Sequence, residues 1–238
     1  MDIVFEELDY CETHMGDLML RKRSIPSLDG KIIYEVKLGE EFLMSSLFHD
    51  AEVALSHLGL DSFGTKQVDV VVGGLGLGYT AQAALEFPNL RSLTVIEGLS
   101  EVIGWHKRGL VPLGEKLTQD SRCRLLHGDF FELAQSANLD PEHAGRKFHA
   151  ILLDIDHTPE HFLHLSHGGF YQPEGLEKMA RHLHPGGVFA LWSDDKPDEG
   201  FCKVLESVFA SVEAHLVEFD NPILGGTSSN SVYVAYAQ

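Results

Sequence analysis

Two aspartates, Asp154 and Asp156, close the apolar run Ile151-Leu152-Leu153 with one residue between them. In an extended segment, residues i and i+2 point the same way, so the two carboxylates can share a cationic amine or a proton. Asp154 stands at the end of the run and is the candidate general base or amine anchor. Asp156 is the second candidate catalytic acid; its alternative role is capping, because Thr158 and Pro159 follow it. A second signal lies upstream, where Gly73-Gly74-Leu75-Gly76-Leu77-Gly78-Tyr79-Thr80-Ala81 follows the run Val70-Val71-Val72. Glycines let the chain turn tightly and let a ligand approach the backbone, and the free amides of a following helix favour a polar or anionic group. The same string contains Gly76-x-Gly78-x-x-Ala81, a dinucleotide fingerprint, so alone it does not separate one adenine-containing ligand from another.

Two further acids fall at successive strand ends. Glu97 closes Leu93-Thr94-Val95-Ile96-Glu97, where an acceptor-only carboxylate suits the two hydroxyls of a ribose. Asp129, in Gly128-Asp129-Phe130, is placed to accept the exocyclic amino group of an adenine, with Phe130 or a neighbour packing on the ring. The candidate nucleoside-binding set is therefore Gly73, Gly74, Gly76, Gly78, Glu97, Asp129 and Phe130, and adenosine is the leading interpretation. His157, His161, His164 and His167 crowd the segment after the paired aspartates. Their spacing raises a metal site, but Pro159 and Gly168-Gly169 confine any helix to about two turns, and no outside ligand is identifiable. Surface or packed histidines are expected, and no metal. His182 and His184, before Pro185-Gly186-Gly187, read as the close of a helix.

These residues need a scaffold that gathers strand ends. From residue 68 onward the pattern alternates. Strands are expected at 68–72, 92–96, 124–127, 150–154, 188–192, 214–219 and 231–237, and helices at 79–86, 100–108, 131–136, 173–184 and 199–211. Runs such as Val70-Val71-Val72 are apolar on both faces, as buried parallel strands are, and Asp69 is expected at the strand's start, still in reach of water. The last two strands are separated by Asn221, Pro222, Gly225 and Gly226 without a helix, which implies an antiparallel hairpin at one edge. The predicted fold is α/β: a Rossmann-like, mostly parallel sheet with its ligand at the carboxyl ends of the strands, which with its closing hairpin resembles the class I S-adenosylmethionine-dependent methyltransferase fold. Residues 1–60 read differently. Short β-prone runs at 3–8, 18–22 and 32–38, broken by Gly16, Pro26 and Asp29-Gly30, precede helical spacing over 46–58. The expected division is a small N-terminal β-subdomain with its following helix (1–60) and a Rossmann-like domain (61–238).

The chain's 238 residues, 44% hydrophobic and 23% charged, suffice for a large core without disulfides or metals and exclude disorder and coiled coil as global descriptions. A net charge of −18 repels phosphate backbones, and the one basic run, Arg21-Lys22-Arg23, is too short to reverse that, so no nucleic-acid partner is expected. Three scattered cysteines, Cys11, Cys123 and Cys202, fit a reducing cytosol. There is no basic-then-apolar leader and no apolar run long enough for a bilayer, so the expectation is a cytoplasmic protein without a membrane partner.

In several segments, in order from about residue 16 to the end, the chain resembles the spermidine synthase family of aminopropyltransferases. The glycine loop is similar to that family's Gly-Gly-Gly-Asp-Gly-Gly. Val95-Ile96-Glu97 with Glu101 to His106 resembles its second-strand acid and following helix, and Arg124 to Phe130 its Gly-Asp adenine contact. Asp154-Ile155-Asp156-His157 falls at its Asp-Ser-Ser-Asp, Gly169-Phe170-Tyr171 at its Glu-Phe-Tyr, and Leu183 to Leu191 at its Lys-Pro-Gly-Gly strand. The resemblance implies a homodimer that moves an aminopropyl group from decarboxylated S-adenosylmethionine to a small amine. Asp154 would deprotonate the amine, Glu97 hold ribose and Asp129 hold adenine. Phe48-His49-Asp50, set against the family's Tyr-His-Glu, adds His49 and Asp50 as substrate-binding residues, with His157 and Tyr171 beside them. Two departures remove negative charge. Gly76 replaces the glycine-loop acid that receives the donor's ammonium, and His157 replaces the second motif aspartate unless Asp156 substitutes for it. The alternatives are therefore a small-molecule methyltransferase using ordinary S-adenosylmethionine, a spermidine synthase-like binding protein without turnover, and, on the glycine fingerprint alone, a nicotinamide dehydrogenase.

Overall fold

The structure, a computed structural model, describes residues 4–238; Ile3, at the start of the first expected strand, lies outside them. Four strands come first: β1 (Phe5–Thr13), β2 (Gly16–Ile25), β3 (Lys31–Leu38) and β4 (Glu41–Ser45). They pair antiparallel in the order β1-β2-β3-β4. The strand β4 has no counterpart in the sequence reading; it follows β3 across a two-residue turn at Gly39-Glu40. The expected helix start at Ser46 is also displaced. The Ser46 amide donates to the Tyr34 carbonyl and its hydroxyl accepts from the Tyr34 amide, both at 2.9 Å, so the chain is still bonded to β3 there. The helix α1 begins only at Asp50 and runs to Leu60.

The rest of the chain builds β5 (Val68–Gly73), α2 (Tyr79–Leu85), β6 (Leu90–Glu97), α3 (Ser100–Lys107), α4 (Gly114–Gln119), β7 (Cys123–His127) and α5 (Phe130–Gln135). Then follow β8 (Phe148–Leu153), α6 (Pro173–Ala180), β9 (Leu183–Ser193), α7 (Glu199–Glu206), β10 (Ser211–Asp220) and β11 (Thr227–Tyr236). The seven strands order as β10-β11-β9-β8-β5-β6-β7. The five from β9 to β7 are mutually parallel, and β11 pairs antiparallel with both β9 and β10, which is the expected edge hairpin. The helix expected to reach His184 stops at Ala180, because Leu183 already pairs with Phe148. The His182 amide closes that helix end on the Met179 carbonyl at 3.0 Å.

Successive side chains of the central strands enter opposite cores. Val70 and Val72, with Ala150 and Leu152, pack under α1 and α2, whereas Val71, Ile151 and Leu153 pack under α5, α6 and α7. The small sheet shares the first core through Leu18, Leu20, Val36 and Leu38. The helix α1 packs on β8, β9 and β11 of the large sheet rather than on the small one. It does so at Gly59, where a Cβ would lie 2.6 Å from the Leu152 side chain. Asp69 departs from expectation too. It is buried, and Arg91, Arg146 and the Ser92 hydroxyl satisfy it, which holds its carboxyl down at about 2 despite burial.

Candidate active site

The glycine loop leaves β5 at the carboxyl end of the sheet. Gly74 adopts φ +95°, and a Cβ there would meet the Asp154 carbonyl oxygen at 2.0 Å, so only glycine lets β5 and β8 end side by side. The Gly74 amide donates to the Ile96 carbonyl at 2.9 Å and the Asp154 amide to the Gly73 carbonyl at 2.8 Å. The three strand ends are thereby fixed to one another. Below the loop, buried His106 donates from Nε2 to the Gly76 carbonyl at 2.9 Å; burial lowers its basicity, which suits a neutral ring. Sequence reading placed His106 only within a helix; its support of the loop needs the fold.

Glu97 sits where it was expected, but it also holds the loop. Its Oε2 accepts from the Leu75 amide at 2.9 Å and its Oε1 from the Leu99 amide at 2.8 Å. Burial raises its pKa while these amides counteract the rise. The Gly76 and Gly98 amides add to that lowering, and the carboxylate lines the adjoining cavity. Asp129 caps α5, its Oδ1 accepting from the Phe131 amide at 2.8 Å and the Glu132 amide at 3.2 Å. Its other oxygen takes no part in those bonds. Glu97, Asp129, Gly74, Gly76, Leu99 and Ile155 line a cavity of about 150 Å³, whose opposite wall is Leu18, Val36, Leu38 and Met44 from the small sheet. Phe130 borders it, but its ring is 2% exposed and packs edge-on against Phe131 and Phe170, so it offers no open face for stacking a base. Gly73 lies under that ring rather than in the cavity lining.

The second cavity, about 470 Å³, adjoins the first through Met44, Gly76, Asp154, Ile155 and Leu163. It brings together Asp154, His49, Asp50, His157 and Gly78, with Tyr79, Phe48, Phe219 and Trp192 as aromatic walls and Asp194 and Asn230 beside them. His49 stacks on Tyr79 at 4.3 Å between ring centroids, and Asp154 Oδ2 accepts from the Thr80 hydroxyl at 2.6 Å. Burial pushes the Asp154 carboxyl up to about 6. Facing the same space is Glu52, which sequence reading missed. Burial, then repulsion from Asp154 and Asp50, pushes it up to about 8. Its only sequence signal was an acid in the first turn of a helix beginning at Asp50, which ordinarily reads as complementing the helix dipole.

Two expected site residues are corrected. Asp156 is 1% exposed, and its carboxylate accepts from the Leu163 amide at 2.8 Å and the Tyr171 hydroxyl at 2.8 Å, with His167 Nδ1 at 2.9 Å. It anchors the segment between β8 and α6 and lines neither cavity, so it is not a catalytic acid. Tyr171, 2% exposed, serves that same bond and does not face the substrate space. The shared direction of residues i and i+2 failed here because β8 ends at Leu153, before the pair. The histidines gather as two ring pairs, His157 with His161 at 5.0 Å and His164 with His167 at 5.9 Å between centroids, and not as one cluster. His167 stacks on Phe131 at 3.8 Å, and His157 lies 3.9 Å from Glu41. The described residues hold one potential ligand trio, Asp140, Glu142 and His143, and its acids already pair with Arg124 and Arg146.

Comparison with solved structures aligns 98% of the chain with spermidine synthase from Thermotoga maritima (TM-score 0.71, 15% identity, 73% of that chain). A spermidine synthase in complex with the transition state analogue AdoDATO aligns over the same share of this chain (TM-score 0.70, 16% identity, 72% of that chain). The fold is thus the spermidine synthase-like form of the Rossmann-like methyltransferase architecture. In sequence, 180 residues, 71% of the chain, are 26% identical to polyamine aminopropyltransferase 2 of Pseudomonas aeruginosa and cover 46% of it, so the chain spans about half the length of this curated relative. No family model matches the chain. In fold the chain is similar to spermidine synthases, and over part of its length it is similar in sequence to a polyamine aminopropyltransferase.

Proposed function

We propose that the chain transfers an aminopropyl group from decarboxylated S-adenosylmethionine to a small amine. The observation that carries this reading is Asp154, a carboxylate with its pKa near 6, standing where a nucleoside cleft meets an acidic, aromatic cavity. Among the described residues, no arginine or lysine lines either cavity. A donor carboxylate would face Glu52 and Asp154 without a counter-charge, whereas an ammonium finds two acids, so the surroundings favour the decarboxylated donor.

In this reading Glu97 accepts the ribose hydroxyls, Asp129 Oδ2 takes the adenine amino group, and Leu99 and Ile155 pack on the base. Asp154 accepts a proton from the acceptor's ammonium. The neutral nitrogen then attacks the aminopropyl carbon bonded to sulfur. The carbon–nitrogen bond forms as the carbon–sulfur bond breaks, its electron pair neutralises the sulfonium, and methylthioadenosine leaves. A positioned base contributes about 10²–10⁴-fold, and alignment of donor and acceptor supplies most of the remainder. No helix of the described residues is long and apolar enough to cross a membrane, and a cytoplasmic homodimer accompanies this reading.

Methyl transfer from ordinary S-adenosylmethionine is the second reading, favoured by one observation: Gly76 leaves the glycine loop without an acid. Incubation with each donor and a panel of amines separates the two. Methylthioadenosine formed only from the decarboxylated donor supports aminopropyl transfer; adenosylhomocysteine, with no methylthioadenosine from any amine, removes it.

A further inference from the structure

Asp50, Glu52, Asp154 and Asp194 all line the larger cavity, and burial weighs most on Glu52 and Asp154. Asp154 follows β8, and Glu52 comes from the first turn of α1. Thr80 holds one oxygen of Asp154, whereas Glu52 makes no hydrogen bond or ion pair to another residue's side chain among the described residues. The glycine loop supplies no acid here, since Gly76, at φ +47°, stands where an acidic loop residue would project, with the flexible end of Met44 2.7 Å from the place of its missing Cβ. The walls between the acids are aromatic, from Tyr79, Phe48, Phe219 and Trp192, a surface suited to methylene groups. Two polar atoms of lining residues, His49 Nδ1 and Trp192 Nε1, are buried with no hydrogen-bond partner, which sets the cavity apart from a packed interior.

We propose that Glu52 and Asp154 form a two-carboxylate seat for a protonated amine, with Glu52 the specificity-determining acid. This rests on the amine-transfer reading of the same cavity and adds to it the residue that makes good the missing loop acid. Two carboxylates that repel each other across a half-buried space retain a proton at neutral pH, and an arriving ammonium displaces it. The other titratable groups lining the cavity with Glu52 and Asp154 are Asp50 on the same helix, Tyr79 on α2, His49 at the cap, His157 after β8 and Asp194 after β9. An alcohol of the same length gains nothing from the seat, so the cavity discriminates by charge.

Calorimetry at pH 7 tests this, with 1,4-diaminobutane titrated into protein saturated with methylthioadenosine, in two buffers of different ionisation heat. The wild type, Glu52→Gln and Glu52→Asp are compared. The wild type is expected to release up to about one proton on binding. Glu52→Gln should lose about tenfold or more in diamine affinity together with most of the proton release, and Glu52→Asp should recover part of both. Methylthioadenosine affinity, measured without diamine, should be equal in all three, which reports an intact fold. Diamine affinity and proton release in Glu52→Gln matching the wild type overturn the seat and leave amine transfer standing. A wild type that binds methylthioadenosine but no diamine overturns both.

Discussion

Substituting Gly74 with alanine tests whether the contact between the ends of β5 and β8 sets the position of Asp154. The added Cβ would stand 2.0 Å from the Asp154 carbonyl oxygen and 2.9 Å from its carbonyl carbon, both backbone atoms without rotamer freedom. To reach the 3.0 Å that real Cβ contacts respect, the two chains must part by about 1 Å. The positive φ adds about 1–2 kcal/mol of strain for a residue bearing a Cβ. A catalytic group misplaced by about 1 Å loses about 10²-fold in rate. Gly39 provides the control, since its φ is +57° with nothing within 4 Å, so Gly39→Ala carries backbone strain without the collision. Methylthioadenosine release and thermal unfolding, measured on both variants, separate the two effects. Gly74→Ala should lose about 10²-fold in kcat, and Gly39→Ala should stay within a few-fold of the wild type while melting somewhat lower. Equal activity in the two variants would refute the reasoning.

Asp154→Asn should lower kcat by about 10²–10⁴-fold while methylthioadenosine still binds, because the Thr80 hydroxyl can donate to the amide oxygen; a loss below tenfold removes the base from the mechanism. Stability should also depend on pH. Folding raises Glu52 and Asp154 above their ordinary values of 4.5 and 3.8, so the folded state holds more protons between those values and about 8 and 6. Melting temperature should therefore fall as pH rises from about 4 through about 8, and Glu52→Gln should flatten the fall; a slope unchanged in that variant contradicts it. Asp69 has the opposite sign: held at about 2, it stabilises above its ordinary 3.8, and that contribution goes as pH drops toward 2, so Asp69→Asn should blunt the acid transition. Tyr171→Phe leaves buried Asp156 without its hydroxyl donor and should cost about 1–3 kcal/mol in urea unfolding, with methylthioadenosine affinity retained; an unchanged midpoint denies Asp156 its anchoring role.

Much of the scaffold was legible because burial on both faces forces continuous apolar runs, and Val70-Val71-Val72 and Ile151-Leu152-Leu153 have no other use. The glycine loop, Glu97 and Asp129 were legible because a strand end followed by glycine or acid is a local pattern. Short elements were not. Nothing in Glu41–Ser45 distinguishes a strand from a loop until β3 is beside it, and α4 gives only six residues of period. Glu52 was hidden because its partner is distant in the chain and an acid in a first helical turn is already explained locally. Asp156 misled for the opposite reason: a burial network supplied by Leu163, His167 and Tyr171 turned an apparent active-site pair into one site residue and one anchor.

That anchor restricts how molecules travel in and out. With its root bonded through Asp156 to Leu163, His167 and Tyr171, the stretch leaving β8 cannot unfold outward as a door without breaking bonds in a dry interior. On the other side the larger cavity is bordered by Phe42, Phe48 and Phe219, with Phe48 and Phe219 packed at 5.8 Å between ring centroids, two parts of the chain that are far apart in sequence. On the proposed function, a crosslink between those two pieces should slow exchange of the amine without touching any residue that does chemistry.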